Sequence, residues 1–340
     1  MLTTTLGTGD TQNFTYDPNT GRMKSYAASV GSTPVVTSGT LTWNQNGTLQ
    51  QNSISDAYNS TNTQNCSYQY DDFVRVSGVN CVNGSTKIWN QTFTYGTDAF
   101  GNITKSGNIS WACTLCYDPL TNHYNSTLSS QITYDLDGNL KTDTFHTYTW
   151  NPDGHVASMD NATITYDADG DKVEENVGGV IHEYVSGFGV WAQMTGQIED
   201  ATTVALPGGV QAVYSGGVSS GTSPIGVLER FRFPDWEGKI RAESDPVARV
   251  FTESLAFAPF DERYALKGTP YHVDSFTGSL DQIVGDEYDF AVREEHNGQG
   301  RWISPDPMRG TGNKYVYADN NPLSRASPTC WSKIISVRQR

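Results

Sequence analysis

The chain repeats itself at short range. Three units, Tyr134-Asp-Leu-Asp-Gly138-Asn-Leu140, Trp150-Asn-Pro-Asp-Gly154-His-Val156 and Tyr166-Asp-Ala-Asp-Gly170-Asp-Lys-Val173, follow one another with leading aromatics 16 residues apart. Ahead of each aromatic the apolar positions alternate: Ile132 and Tyr134, Tyr148 and Trp150, Ile164 and Tyr166. A period of two marks a strand with one buried face. Asp or Asn after the aromatic can fold its side chain onto the turn's amides. Asp-Gly supplies the positive φ of a tight hairpin without steric cost. The apolar residue after the glycine (Leu140, Val156 or Val173) opens a return strand. A hairpin this small cannot bury its own apolar face, so stability has to come from units laid side by side.

Weaker copies lie upstream at Tyr16-Asp-Pro-Asn-Thr-Gly21-Arg-Met, Trp43-Asn-Gln-Asn-Gly47 and Tyr70-Asp-Asp-Phe-Val-Arg-Val76, the last without its glycine. A fourth runs from Tyr95 to Gly101-Asn-Ile and is two residues longer. Their aromatics are 27, 27 and 25 residues apart, with 39 more to Tyr134, which predicts longer strands or inserted loops. Residues 110–128 read as such an insertion. The expected fold class is all-β, with hairpins tiled into one curved sheet.

Composition narrows the partners. A formal net charge of −15 argues against duplex nucleic acid or an anionic membrane, since both call for a basic surface. The one basic run is the tail from Lys333 to Arg340. No apolar stretch is long enough to span a bilayer, and the first residues lack the basic and apolar regions of a signal peptide. Five cysteines are too few for a disulfide scaffold in 340 residues. Cys66 and Cys81 flank one hairpin and can bridge in an oxidising compartment. Cys113 and Cys116 form a single CxxC, and a zinc site asks for a second ligand pair that His123 alone does not provide. No cofactor or metal is expected. Asn-x-Ser/Thr sequons run from Asn13 to Asn161, as a chain rich in Asn, Ser and Thr produces by chance.

Tyr-Asp followed by Gly-Arg or Gly-Asn resembles the YD repeat, over roughly residues 10–185. Residues 186–260 read as a transition. Within them Leu206-Pro-Gly-Gly209, Ala212-Val-Tyr214 and Phe231-Arg-Phe-Pro-Asp235-Trp-Glu-Gly238-Lys239 are similar to segments that lead into the core of RHS proteins. Phe233, Glu237 and Lys239 stand where that family has His, Leu and Ser. Ala256-Phe-Ala-Pro-Phe260 and Phe276-Thr-Gly278 continue the likeness. Then Tyr288-Asp-Phe, Arg293, Gly300-Arg-Trp-Ile-Ser-Pro-Asp306-Pro, Tyr315-Val-Tyr317 and Asn320-Asn-Pro-Leu323 resemble the RHS-repeat-associated core, with Arg293 and Asp306 13 residues apart. On this likeness residues 261–330 are the core and 331–340 a tail outside it.

The resemblance implies a hollow β shell, closed or plugged by the core, that encloses a polypeptide cargo or joins a neighbouring YD-repeat chain. It also implies a bacterial protein, secreted or at the cell surface. In the family the core can cut its own chain, and Asp306 and Arg293 occupy the matching positions. A second Asp is expected in a closing Asp-Pro-x-Gly, because two close carboxylates share one proton and divide the acid and base roles. Here that motif reads Ser327-Pro-Thr-Cys330, so self-cleavage is expected to be lost. The structural alternative is that Asp306 caps a turn and Arg293 pairs with a nearby carboxylate.

The sequence admits other functional readings. Tyrosine-rich strands could bind cell-surface carbohydrate. The chain starts inside a repeat and stops about ten residues after the core motif, which is also what an incomplete or drifting gene product gives. Asp167-Ala-Asp-Gly-Asp171 resembles half a calcium loop, yet Lys172 and Gly178 stand at the Gly and Glu positions, so turn chemistry is expected. Gly217-Val-Ser219-Ser-Gly221 spells a hydrolase elbow without the strand and helix it requires.

Overall fold

The computed structural model describes residues 2–325 apart from 33, 114, 188–189, 197, 217–225, 261, 269–279, 282–286, 291–292, 297 and 309–311. The repeats share one way of folding, apart from the longer unit at Tyr95, whose strand pairs through to Ile103 without a slip. The incoming strand ends at the aromatic, and the pairing register slips just before it, between Thr15 and Tyr16, Thr42 and Trp43, Gln69 and Tyr70, Thr149 and Trp150, and Thr165 and Tyr166. Such a bulge sharpens the strand's twist as it enters the turn. The next residue donates its amide to the carbonyl four positions on, as in Asn44 to Thr48, Asp135 to Asn139, Asn151 to His155 and Asp167 to Asp171, at 2.8–3.0 Å. The glycine amide then returns to that Asp or Asn carbonyl, and Gly47, Gly138, Gly154 and Gly170 carry φ between +88° and +93°. Asp135 Oδ1 accepts from the amides of Asp137 and Asn139, and Asp167 Oδ1 from those of Asp169 and Asp171. The acidic run at 167–171 therefore closes a turn. Where the glycine is lost, Val74 takes the left-handed conformation itself, at φ +66°.

Among the described residues, antiparallel strands make up nearly all the regular structure, with three short 3-10 turns. Nine strands in chain order, from Leu2–Thr5 to Ile103–Gly107, form one sheet; twelve, from Tyr148–Trp150 to Arg263–Lys267, form a second. Among the described residues both sheets are open, with no ladder joining first strand to last. Between them lie the insertion and a two-stranded ribbon, Thr133–Tyr134 with Leu140–Thr142. A four-stranded sheet of Leu280–Asp281, Glu287–Phe290, Arg293–His296 and Arg301–Trp302 follows.

The second sheet runs on through residues where the short period fades, and the reason is visible at Asp235. Its amide donates to the Lys239 carbonyl at 2.8 Å, Gly238 has φ +86°, and its Oδ1 accepts from the amides of Glu237 and Lys239. This is the repeat's own turn with Pro234 in the aromatic's place.

Units are tied together by the tips of their leading aromatics. Trp43 Nε1 donates to the Met23 carbonyl, Tyr70 Oη to Leu49, Tyr95 Oη to Val76 and Trp150 Nε1 to Leu140, at 2.5–2.9 Å. Each acceptor opens the return strand of the unit before. Register adds a second device: Gly39 lies directly opposite Tyr26, and a Cβ there would fall 2.3 Å from the ring. That glycine lets Tyr26 lie flat against the sheet.

The two large sheets face each other. Trp43 meets Trp236 edge-on at 5.6 Å, Trp89 stacks on Tyr264 at 4.7 Å and Phe93 packs on Phe260 at 5.1 Å. Charges cross the same interface: Lys105 to Glu262 at 2.6 Å, Arg249 to Asp10 at 2.8 Å and Arg241 to Asp56 at 3.3 Å. Cys66 and Cys81 are register partners in the first sheet and are bonded, with Cα atoms 4.0 Å apart.

Candidate functional site

The C-terminal segment sits where these layers meet. Trp302 and Tyr317 join the core formed by Trp89, Phe93, Ile103 and Phe260. The next residue, Ile303, packs instead among Leu140, Tyr148, Val156 and Ile164 of the repeats, and its carbonyl accepts from the Leu140 amide at 3.0 Å. Alternation along one short stretch thus ties the first sheet to the 134–166 units.

The structure brings Arg293 and Asp306 together. Arg293 Nη2 lies 3.3 Å from Asp306 Oδ2, and the guanidinium carbon is 4.2 Å from the Trp302 ring centroid. Arg293 is buried, as are Glu294 and Glu295 after it. Asp306 Oδ1 accepts from the Met308 amide at 2.9 Å, while its own amide donates to the Lys314 carbonyl at 2.8 Å. The carboxylate therefore caps the Pro-flanked turn with one oxygen and holds Arg293 with the other. This arrangement clamps the turn onto the Arg293–His296 strand. Proton sharing would require a second carboxylate beside Asp306. The closing motif at Ser327–Cys330 lies outside the described residues, as do Phe276–Gly278 and the 217–221 run.

Glu294 and Glu295 are the acids that sequence reading passed over. Their one sequence signal is position: two carboxylates directly after Arg293, ahead of the Gly300-Arg301-Trp302 run. Backbone contacts fix them in place, because the Ile303 amide donates to the Glu294 carbonyl at 3.1 Å and Glu295 pairs in register with Trp302.

His296 ends the same strand. Burial, with the Lys105 charge behind it, pushes its pKa down to about 4 from an ordinary 6.5. Two acids elsewhere shift the other way: burial lifts Glu237 and Glu253 to about 7. For His296 the unfolded chain binds the proton more readily, so its contribution is full above pH 6.5 and is lost as pH falls toward 4. For the two glutamates the contribution is full below 4.5 and is lost as pH rises through 7.

No family model matches the chain, and no curated protein does. Solved structures do match. The Tc holotoxin pore of Photorhabdus luminescens, with a variant TccC3, superposes with a TM-score of 0.77 at 16% identity, over 96% of this chain and 18% of that one. TcdB2–TccC3 gives 0.75 at 16% over 96% and 19%, and TcdB2–TccC3–Cdc42 gives 0.74 at 15% over 96% and 18%. The chain thus spans about a fifth of the length of these neighbours.

The His296 shift makes a direct prediction. Between pH 7 and pH 4.5 the urea midpoint of a His296→Gln chain should fall less than that of the unaltered chain. Equal falls would remove His296 from the acid response. The geometry and the comparisons together give the chain an RHS-like fold, shared with the TcdB2–TccC3 and Tc holotoxin structures.

Proposed function

We propose that the chain is a structural segment of an RHS/YD-type β shell that encloses or displays a polypeptide cargo, with self-cleavage lost. The observation that carries this reading is the tiling: successive hairpins share one turn, four of them share an aromatic-to-carbonyl bond, and 96% of the chain aligns with a Tc holotoxin structure. Secretion or display at a bacterial surface follows from the same likeness. The sugar-binding alternative has less support, because repeat aromatics spend their polar tips on backbone carbonyls and many rings lie in the interface between sheets.

Loss of cleavage rests on Ser327, which stands where the resemblance calls for a carboxylate. Glu294 and Glu295, buried directly after Arg293, are the other carboxylates of that strand. Intact-mass spectrometry of the purified chain should give one full-length species. A clean species ending near Trp331 would show that the core still cuts.

For the shell itself, electron micrographs should show a curved wall around a low-density interior, and a glycan panel should show no saturable binding. A solid particle that binds glycans would replace this reading with the adhesion one.

A further inference from the structure

The insertion at 110–128 holds a covalent ring that the shell reading does not use. Cys113 and Cys116 are bonded, with Cα atoms 5.6 Å apart, inside the usual range for a disulfide. Both are buried, whereas Leu115 between them is 82% exposed and has φ +60°. An L-residue with a Cβ rarely takes that left-handed conformation.

Three links lead from the ring to the C-terminal segment. Asn125 donates its amide to the Cys116 carbonyl at 2.7 Å and its Nδ2 to the Leu115 carbonyl at 3.0 Å. That fixes the loop in which Tyr117 and Tyr124 form an antiparallel bridge. The two tyrosines and Tyr315 then surround the buried guanidinium of Arg301, whose carbon lies 5.0, 4.7 and 4.6 Å from their ring centroids. Arg301 Nη2 donates to the Asn122 carbonyl at 3.1 Å, Tyr124 Oη donates to Gln299 Oε1, and Asn122 Nδ2 donates to Asn313 Oδ1 at 2.9 Å. Residues 117–125 are thus the grip on residues 299–315. Cation–π contacts gain strength when desolvated and depend on the rings staying in place.

We propose that Cys113–Cys116 is a redox modification site, a reducible latch whose opening loosens the grip of residues 117–125 on residues 299–315. The chemistry is thiol–disulfide exchange with a dithiol reductant. One reductant thiolate attacks a ring sulfur, the S–S bond breaks, and a mixed disulfide forms. The reductant's second thiol then closes its own disulfide and leaves Cys113 and Cys116 as thiols, two electrons having passed to the chain. The reverse exchange with a disulfide donor restores the ring. Once open, the loop can give up the left-handed Leu115, and the carbonyls that hold Asn125 move with it. The Cys66–Cys81 bond differs, because a ladder of backbone hydrogen bonds already fixes both its strands. The inference stands on these local contacts and does not depend on the shell reading.

Hydrogen exchange with thiol alkylation on the full chain tests it. Purified without reductant, Cys113 and Cys116 should resist alkylation; with dithiothreitol both should react. The amides of Trp302, Ile303 and Asp306 should then exchange about tenfold faster, while those of Val76–Asn83 hold their rates. A Cys113→Ser/Cys116→Ser chain should show the faster rates without reductant, and a Cys66→Ser/Cys81→Ser chain should keep the response. Should the first variant not fold, the unaltered chain with and without reductant still decides. The proposal is overturned by thiols open to alkylation before reduction, or by unchanged exchange at 302–306 after it. Faster exchange across the whole chain, or a response that follows Cys66–Cys81, overturns it equally.

Discussion

The structure depends on one recurring bond, from the tips of the leading aromatics Trp43, Tyr70, Tyr95 and Trp150 to a backbone carbonyl at the start of the previous unit's return strand. A hairpin with one apolar side has nothing of its own to bury that side against. The aromatic resolves this twice over. Its ring supplies the apolar area, and its N–H or O–H satisfies a carbonyl that the neighbouring turn would otherwise leave short of a donor. The bulge before Trp43, Tyr70 and Trp150 is the geometric counterpart, since it swings the side chain across the turn. Trp150 shows the reach of the device, because its acceptor, Leu140, belongs to a separate two-stranded ribbon.

Tiling alone yields an open sheet, and the second constraint is what the two sheets do with their inner faces. They meet through a mixed interface. Aromatic pairs such as Trp89 with Tyr264 alternate with buried ion pairs such as Lys105 with Glu262 and Arg241 with Asp56. Asp56 also accepts from Ser254 and Thr37, so its charge is well supplied with donors. Buried pairs of this kind add little net stability, yet removing one partner leaves a charge stranded, so they specify which faces meet. The C-terminal segment completes the arrangement by sending Trp302 into one core and Ile303 into another. Arg293 and Asp306 clamp the turn that follows.

Much of this was legible in the sequence. Strand, turn and return strand of the 16-residue units could be read from alternation and from Asp-Gly chemistry, and Cys66 with Cys81 from their flanking of one hairpin. The turn at Asp235 was passed over as a repeat because Pro234 replaces the aromatic that announces the others, although its hydrogen bonds are the same. Partners across the interface were out of reach: Asp56 and Arg241 are 185 residues apart, and a one-dimensional pattern holds no information on which sheet face meets which. Arg293 and Asp306 were found through a family likeness, and the structure sets them side by side. Glu294 and Glu295 gave no signal beyond their position after Arg293, because acidic residues in a strand read as solvent-facing, and only three-dimensional packing buries them.

The central claim, that the aromatic tips couple one unit to the next, is tested most directly by removing a single hydroxyl. Tyr70→Phe keeps the ring and deletes only the bond to the Leu49 carbonyl. Equilibrium denaturation should then show a loss of about 1–2 kcal/mol with an unchanged denaturant slope, as expected when a part-buried carbonyl loses its donor. A loss within about 0.3 kcal/mol of zero would contradict the account and leave ring burial alone to hold the units together.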